Sequence, residues 1–349
     1  MTENEKYFGK RNIFVTGRAT TGLWLILKSE GISHKKVMFP ANICYAPVFG
    51  AIFAENKPVF VDIADWANVS LEGIKNSVTA DVACIVLPHM YGKVCKDVEG
   101  IAVFCREKHI LLIEDCASAF GATLNSKPVG SFGDYSLFSF DYSKIVDIGF
   151  GGIVVSNRNL NCFTELEAKL PFWNSDKDFS LSMFSKLYRV IRNSEDNTLI
   201  RRIYQILPSL LQDYFLFRIT EDEKNLVLNS LIKVEAEKQR RWAAYHSLAG
   251  AIKSIPCLEL CKYEEEDIPW RFNFLYRGNK KSFVQYLLER KIPISDWYPF
   301  IGKMFSEENT AKYKNVLEIE KYIYNLPLHN SDSMLKALSE IKIEEVENE

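Results

Sequence analysis

Short β-rich runs alternate with helix-like stretches through the first half of the chain, and this alternation restricts the fold more than any other feature. Strand signals fall at 36–39, 58–62, 83–87 and 110–114, and another at 135–138. Helical patterns lie between them at 20–29, 46–55, 71–78 and 98–108. Strands separated by whole helices are joined by crossovers rather than hairpins, so they run parallel. The pattern predicts an α/β fold with a large mixed, mostly parallel sheet and helices on both faces. Ligands in such sheets bind beyond the carboxyl ends of the strands. Asp62, His89 and Asp115 fall at those ends.

The pattern changes later. Residues 161–216 are rich in aromatics and in Arg and Lys. Amphipathic helices are expected there, as a lid or membrane-surface patch over 183–217, or as a helical insertion covering the core or a dimer interface. A long helical pattern at 226–252 reads as the bridge to a second domain. Beyond it, a strand signal at 272–276 and helices at 281–291 and 334–341 suggest a small α+β domain. The expected division is 1–235 for the large domain, with a divergent insertion at about 170–220, and 236–349 for the small one. The acidic end, 344–349, reads as a frayed tail.

Length fits this division, since 349 residues give a prior of about two domains. With 43 basic and 45 acidic side chains the net charge is −2, which gives no reason to expect nucleic acid. The eight cysteines are scattered, several in apolar runs, as buried thiols of a reducing cytoplasm would be. Cys257 and Cys261 lack a matching second pair, so no metal site is expected. The N-terminus has acids and no apolar core, hence no secretory signal, and a cytoplasmic location is expected. The uncharged stretch 37–54 is interrupted by Pro40, Asn42, Pro47 and Gly50, so it reads as a loop entering a buried helix rather than a membrane span.

Lys144 is the residue with the most chemistry in its surroundings. It closes Ser139-Phe140-Asp141-Tyr142-Ser143-Lys144, directly after a strand signal and ahead of Gly149-Phe150-Gly151-Gly152. An earlier strand ends in Glu114-Asp115. A lysine amine, a hydroxyl and an acid at a neighbouring strand end suit pyridoxal 5'-phosphate (PLP). That cofactor needs an amine for its Schiff base, a carboxylate for its ring nitrogen, and hydroxyls and backbone N–H groups for its phosphate. Taken singly, each element has an ordinary explanation: a solvated lysine, a strand-end turn, a helix start at Gly17 to Thr21. Their order along the chain is what singles them out.

That order resembles the DegT/StrS family of PLP-dependent nucleotide-sugar aminotransferases. The matching segments are Val59-Phe60-Val61-Asp62-Ile63, Pro88-His89-Met90-Tyr91-Gly92 and Ile113-Glu114-Asp115-Cys116-Ala117-Ser118. They continue with Val129-Gly130-Ser131-Phe132-Gly133-Asp134 and the Lys144 segment, then Ile294-Ser295-Asp296-Trp297-Tyr298-Pro299 and Asn325-Leu326-Pro327-Leu328-His329. The resemblance covers most of the chain outside 170–220 and implies a fold-type-I PLP transferase.

By that resemblance, Lys144 would carry the cofactor and shuttle a proton, and Asp115 would pair with the ring nitrogen. Ala19, Thr20 and Ser139 would hold the phosphate, with Ser118 and Tyr45 also at the cofactor. The reaction implied is transfer of an amino group from an amino acid, glutamate first, to a keto sugar carried on a nucleotide. The resemblance also implies a homodimer with the active site at its interface, and a place in surface-polysaccharide or related sugar biosynthesis.

The chain departs from the family pattern at several points. Ser118 stands where Gln or His is usual, Cys44 where an aromatic stacks on the ring, and Asp141 where His is common. The phosphate loop reads Gly17-Arg18-Ala19-Thr20 rather than Ser-Gly-Thr, and the usual Asn-Tyr-Arg segment is not found. Arg18 could grip a carboxylate or phosphate, or could cap a helix or pair with a surface acid. His89 is a candidate substrate contact or a satisfied loop histidine. Trp297 and Tyr298 either line the pocket mouth or pack the small domain. Two rival functions stay open: another PLP enzyme of this fold, such as a dehydratase, and a non-catalytic binding protein that kept the scaffold.

Overall fold

The computed structural model describes residues 2–173, 210–252, 257–305, 310–328 and 331–341, together with Ser182, Lys186, Arg202, Ile203, Ile206 and Ile255. A short helix α1 (Glu3–Phe8) opens it, entered through a capping box of Thr2 and Glu5. Then follow β1 (Asn12–Thr16), α2 (Ala19–Ser29), β2 (Lys36–Pro40), α3 (Tyr45–Phe53) and β3 (Lys57–Val61). The order continues with α4 (Leu71–Ser77), β4 (Val82–Pro88), α5 (Val98–Lys108), β5 (Leu111–Asp115) and the short pair β6 (Thr123–Leu124) and β7 (Lys127–Pro128). After these come β8 (Tyr135–Ser139), β9 (Gly152–Ser156) and α6 (Asn161–Glu167).

Seven of these strands form one sheet in the order β1-β9-β8-β5-β4-β2-β3. β3, β2, β4, β5 and β8 are parallel, and β9 runs against its neighbours β8 and β1. The expected mixed, mostly parallel sheet is therefore present. The sequence pattern did not announce its antiparallel edge. Strand alternation distributes the core. On β4, Cys84 and Val86 pack on one face with α2 and α3, and Ile85 and Leu87 on the other with α5. Both faces are buried, which is why these strands read as continuous apolar runs.

The uncharged stretch 37–54 resolves into most of β2, a turn and α3. The long helix expected at 226–252 is divided. α7 (Glu221–Asn229) starts earlier, at a capping box in which Thr220 Oγ1 accepts from Glu223 N while Glu223 accepts from Thr220 N. A 3₁₀ turn at Ser230–Lys233 follows, with Ser230 Oγ donating to Val227 O at 2.7 Å, and then α8 (Val234–Ala251). A second, three-stranded antiparallel sheet joins β10 (Leu258–Leu260), β11 (Phe272–Tyr276) and β12 (Ile323–Leu326). Its helices α9 (Lys280–Glu289), α10 (Lys314–Glu320) and α11 (Ser331–Ser339) complete an α+β unit. α8, α9 and α11 share its own apolar cluster, with Phe272, Phe274, Phe283 and Leu287 at the centre.

The two sheets are stitched at Gly92. Ile268 N donates to Gly92 O at 3.0 Å and Trp270 N to Tyr91 O at 3.0 Å. Gly92 has φ of 85°, and a Cβ there would lie 1.8 Å from the Ile268 carbonyl oxygen, so only glycine admits this approach. Most of the divergent 170–220 segment, and most of the 183–217 membrane-surface patch with it, lies outside the described residues. Its end is described: Leu211, Phe215, Leu216 and Phe217 are buried against the large sheet. Among the described residues no helix is long and apolar enough to cross a membrane.

Candidate active site

Three chain segments meet at the carboxyl ends of the parallel strands. The first is the start of α2. Gly152 lets it sit against β9: a Cβ there would lie 2.5 Å from Ala19 N and from the Arg18 carbonyl carbon. Gly151 N donates to Gly17 O at 2.7 Å, which fixes the approach. The first-turn N–H groups of α2, Ala19 and Thr20 among them, have no acceptor within the helix.

The second segment is the end of β5. Asp115 is 8% exposed and takes a hydrogen bond from Ala117 N at 3.0 Å on Oδ1. The residue lines the cavity, where its second carboxylate oxygen has no protein partner among the described residues. Burial pushes its carboxyl up from the usual aspartate range, and the Lys144 charge pulls it partly back.

The third is the loop after β8, which carries Lys144. Ser143 adopts a left-handed φ of 64°, a conformation L-residues hold only when their surroundings fix it. Here the surroundings do. Asp147 Oδ2 accepts from Ser143 N at 2.7 Å and its Oδ1 from Gly149 N at 3.0 Å. Trp270 Nε1 donates to Ser143 O at 2.6 Å, Arg271 Nη2 to Ser143 Oγ at 3.2 Å, and Arg241 Nη2 to Lys144 O at 2.9 Å.

These segments enclose a cavity of about 280 Å³. Of the residues singled out from sequence, Lys144, Asp115, Ser139, Ala19, Thr20, Tyr45, Arg18, Trp297 and Tyr298 line it. Cys44 lines it too; burial raises its thiol and the Lys144 charge pulls it partly back.

Ser118 and His89 are outside the lining, and His89 takes the second of its two readings, a satisfied histidine. The chain turns directly after Cys116, with Ala119 N donating to Cys116 O, and Ala117 rather than Ser118 faces the cavity. His89 is fully buried behind it. Its Nδ1 accepts from Cys95 N at 3.1 Å, and its Nε2 lies 3.2 Å from Glu114 Oε2. Glu114 in turn accepts from Gly130, Phe132 and Gly133 N–H groups, so this pair anchors a turn. Cys116, His89 and Glu114 cluster within 4.8 Å, but the histidine and carboxylate atoms are already engaged in these hydrogen bonds. Asp62, also at a strand end, instead caps α10 by accepting from Asn315 N and Val316 N.

Both readings of Trp297 and Tyr298 hold together, since they line the cavity and pack. Tyr298 stacks on Trp270 with centroids 5.4 Å apart, and its N–H donates to Tyr91 Oη at 2.8 Å. Asn325, wholly buried, accepts from Trp297 N at 2.8 Å and donates to Trp297 O at 2.7 Å. Arg18 is 7% exposed and pairs with Asp141 at 3.2 Å, an acid of the Lys144 loop rather than of the surface.

Sequence reasoning missed Arg241, Trp270, Arg271 and Tyr214. Trp270 and Arg271 stand directly ahead of the strand signal at 272–276, a polar-aromatic pair at a strand entry that could have been weighed. Tyr214 lies in the divergent segment, where no pattern located it.

The residues present fit PLP. A lysine amine and a buried carboxylate share one cavity with a hydroxyl, an eleven-residue helix's free N–H groups and a buried guanidinium.

The comparisons with known proteins agree with this geometry. The sequence profile of the DegT/DnrJ/EryC1/StrS aminotransferase family matches residues 2–163. The chain is 33% identical over 161 residues to GDP-perosamine synthase of Vibrio cholerae, which covers 46% of this chain and 44% of that protein. Over the first curated relatives the chain thus spans less than half their length. It is 32% identical over 330 residues to dTDP-3-amino-3,6-dideoxy-alpha-D-galactopyranose transaminase of Aneurinibacillus thermoaerophilus, covering 92% of this chain and 82% of that one. Among solved structures, Helicobacter pylori PseC, an aminotransferase involved in the biosynthesis of pseudoaminic acid, shares the fold with a TM-score of 0.73. The match covers 97% of this chain and 89% of that chain at 18% identity. A Streptococcus pneumoniae protein described as a sugar aminotransferase, solved in a PLP form, gives a TM-score of 0.75 at 16% identity, covering 96% and 88%. With a relative of this identity matched along most of both chains, the protein belongs to the DegT/DnrJ/EryC1/StrS aminotransferase family.

Proposed function

We propose that this chain is a PLP-dependent aminotransferase that moves an amino group from an amino acid, glutamate first, to a keto sugar carried on a nucleotide. The observation that carries the proposal is the meeting of Lys144 and Asp115 in one cavity beside the α2 N-terminus. Bound there, PLP would supply an electron sink and carry the amino group between donor and acceptor.

Lys144 Nζ would hold the cofactor and, once displaced by the donor amine, would take the proton from the donor's α-carbon in the first half-reaction and deliver one to the acceptor carbon in the second. Asp115 would keep the proton on the ring nitrogen. Its buried oxygens leave water little chance to compete for that contact. Tyr45 and Cys44 would bound the ring, and Ser139, Ala19 and Thr20 its phosphate. Trp297, Tyr298 and Tyr214 would shape the entrance for the acceptor. His89 is given no substrate contact, because it lies behind the cavity wall.

The nucleotide-sugar enzymes among its relatives support the acceptor class. Exposed Tyr142 beside Lys144 supports a homodimer that covers this loop. The same reading includes a cytoplasmic location, a role in polysaccharide or related sugar biosynthesis, and a domain boundary near 235, which the separate three-stranded sheet beyond that point supports.

A visible spectrum of the purified protein tests the proposal. A band near the violet edge should appear with PLP, vanish on borohydride reduction and be absent in Lys144→Ala. Glutamate should then bleach it toward the amine form. A protein that stays colourless with added PLP overturns the enzyme reading. A band that no amino acid changes overturns transamination alone.

A further inference from the structure

Arg18, Asp141 and Tyr214 depart from the family pattern at separate places in the sequence: the phosphate loop, the Lys144 loop and the divergent segment. The fold brings them together. Arg18 Nη1 lies 3.2 Å from Asp141 Oδ2, and the Arg18 guanidinium carbon sits 4.2 Å from the centre of the Tyr214 ring. Trp173, Phe215 and Phe217 approach the guanidinium at 5.8 to 5.9 Å. Such a cage holds a planar cation by its faces and by one edge.

Arg18 is also the N-cap residue of α2, and its side chain makes no capping hydrogen bond. Instead the side chain lines the cavity while remaining 7% exposed. Its Nε is buried with no hydrogen-bond partner among the described residues. A guanidinium offers five N–H donors in a rigid fork, and Asp141 engages Nη1. The free N–H groups and positive end of the α2 dipole lie beside it, and Ser139 lines the same cavity.

We propose that Arg18 is the residue by which this chain grips the phosphate of its cofactor, replacing the small hydroxyl usual at the start of this helix. Asp141 and Tyr214 orient the fork, and Tyr214 brings the divergent segment into cofactor binding. This assignment rests on the PLP reading above. A phosphate monoester carries between about one and a half and two negative charges at neutral pH. The guanidinium and the helix start together supply opposing charge, while Asp141 keeps Arg18 from folding away into the aromatic wall.

The test compares PLP with pyridoxal, which lacks the phosphate. The full-length chain, stripped of cofactor, is titrated with each and followed by quenching of the cavity tryptophans Trp270 and Trp297. Wild type should prefer PLP. Arg18→Ala should weaken PLP by about 10- to 100-fold, the scale of one charge-assisted hydrogen-bonded pair, and leave pyridoxal unchanged. Arg18→Lys should keep part of the preference. Inorganic phosphate should compete with PLP in wild type and not in Arg18→Ala. The double variant Arg18→Ala, Asp141→Asn removes the carboxylate left unpaired, and should lose the preference as the single variant does. An unchanged ratio of PLP to pyridoxal affinity in Arg18→Ala overturns the assignment. So does an equal loss of both, which marks a structural role. If wild type takes up neither aldehyde, the PLP reading itself falls.

Discussion

Arg241 donates from Nη2 to the backbone carbonyl of Lys144 at 2.9 Å, and from Nη1 to the carbonyl of Trp270 at 2.6 Å. One side chain on α8 thereby ties the lysine loop of the large sheet to the strand entry of the small one. Its guanidinium is pushed down to about 10 by burial, so the contact costs desolvation and is held by geometry.

Arg241→Met should therefore loosen the lysine loop without touching the cavity's reacting groups. Two buried carbonyls would lose charged donors, a destabilisation of about 2–4 kcal/mol. The melting temperature should fall. The rate at which added PLP develops its violet band should fall as well. A variant that melts lower but develops the band at the wild-type rate would show that Arg241 serves stability alone.

Asp115 makes a pH-dependent contribution whose sign follows from its burial. Its carboxyl titrates above the ordinary range in the folded chain, so the folded state holds a proton that the unfolded chain releases at lower pH. The group's contribution to stability is complete below the usual aspartate value of about 3.9. It declines as pH rises through the raised value. Asp115→Asn should abolish that decline. The cofactor-free variant should melt no lower than wild type near neutrality, and its curve should be flatter across the acid range. It should also lose the cofactor's ring-nitrogen contact. Parallel pH profiles for the two proteins would show that another acid is responsible.

The sheet and the lysine-aspartate pair were legible because both depend on local pattern. Parallel buried strands read as apolar runs, and Asp115 and Ser139 end such runs, so their place at the carboxyl edge followed from period and direction. Ser118 stays outside the cavity lining because the chain turns after Cys116, and nothing local marks that turn's geometry. His89 sits at a strand end as expected, yet Glu114 draws it to the opposite side of the sheet. Trp270, Arg271 and Arg241 reach the lysine loop from roughly a hundred residues or more further along the chain. No spacing in a single sequence encodes such contacts. The antiparallel β9 was hidden because its strand begins within a glycine-rich run that reads as a loop.

Asn325 holds the peptide groups on both sides of Trp297 and also donates to Asn273 Oδ1 at 2.9 Å. Asn325→Leu would keep the branched outline of the side chain and strand these buried partners, at about 2–4 kcal/mol. Trp297 would lose its fixed place at the cavity wall. Its fluorescence should shift, and the acceptor's KM should rise more than kcat falls. An unchanged KM would place Trp297 outside acceptor recognition.

Gly152 isolates the contribution of space from that of charge. Its φ is not in the left-handed region, so alanine there meets no backbone strain. It meets only the start of α2, with Ala19 N and the Arg18 carbonyl carbon 2.5 Å from the new methyl. Both neighbours are backbone, so the helix start must move rather than a side-chain tip. Overpacking of this kind costs about 1–3 kcal/mol. The movement would carry the free N–H groups of Ala19 and Thr20, and the Arg18 fork with them, away from Ser139. Gly152→Ala should accordingly weaken PLP binding while leaving every charged group of the site in place. The losses should appear in PLP affinity and melting temperature together. Gly250, where a Cβ meets nothing within 4 Å, supplies the control, and Gly250→Ala should leave PLP binding unchanged. A Gly152→Ala variant with wild-type PLP affinity would mean that the seating of α2 on β9 does not set the phosphate end of the site.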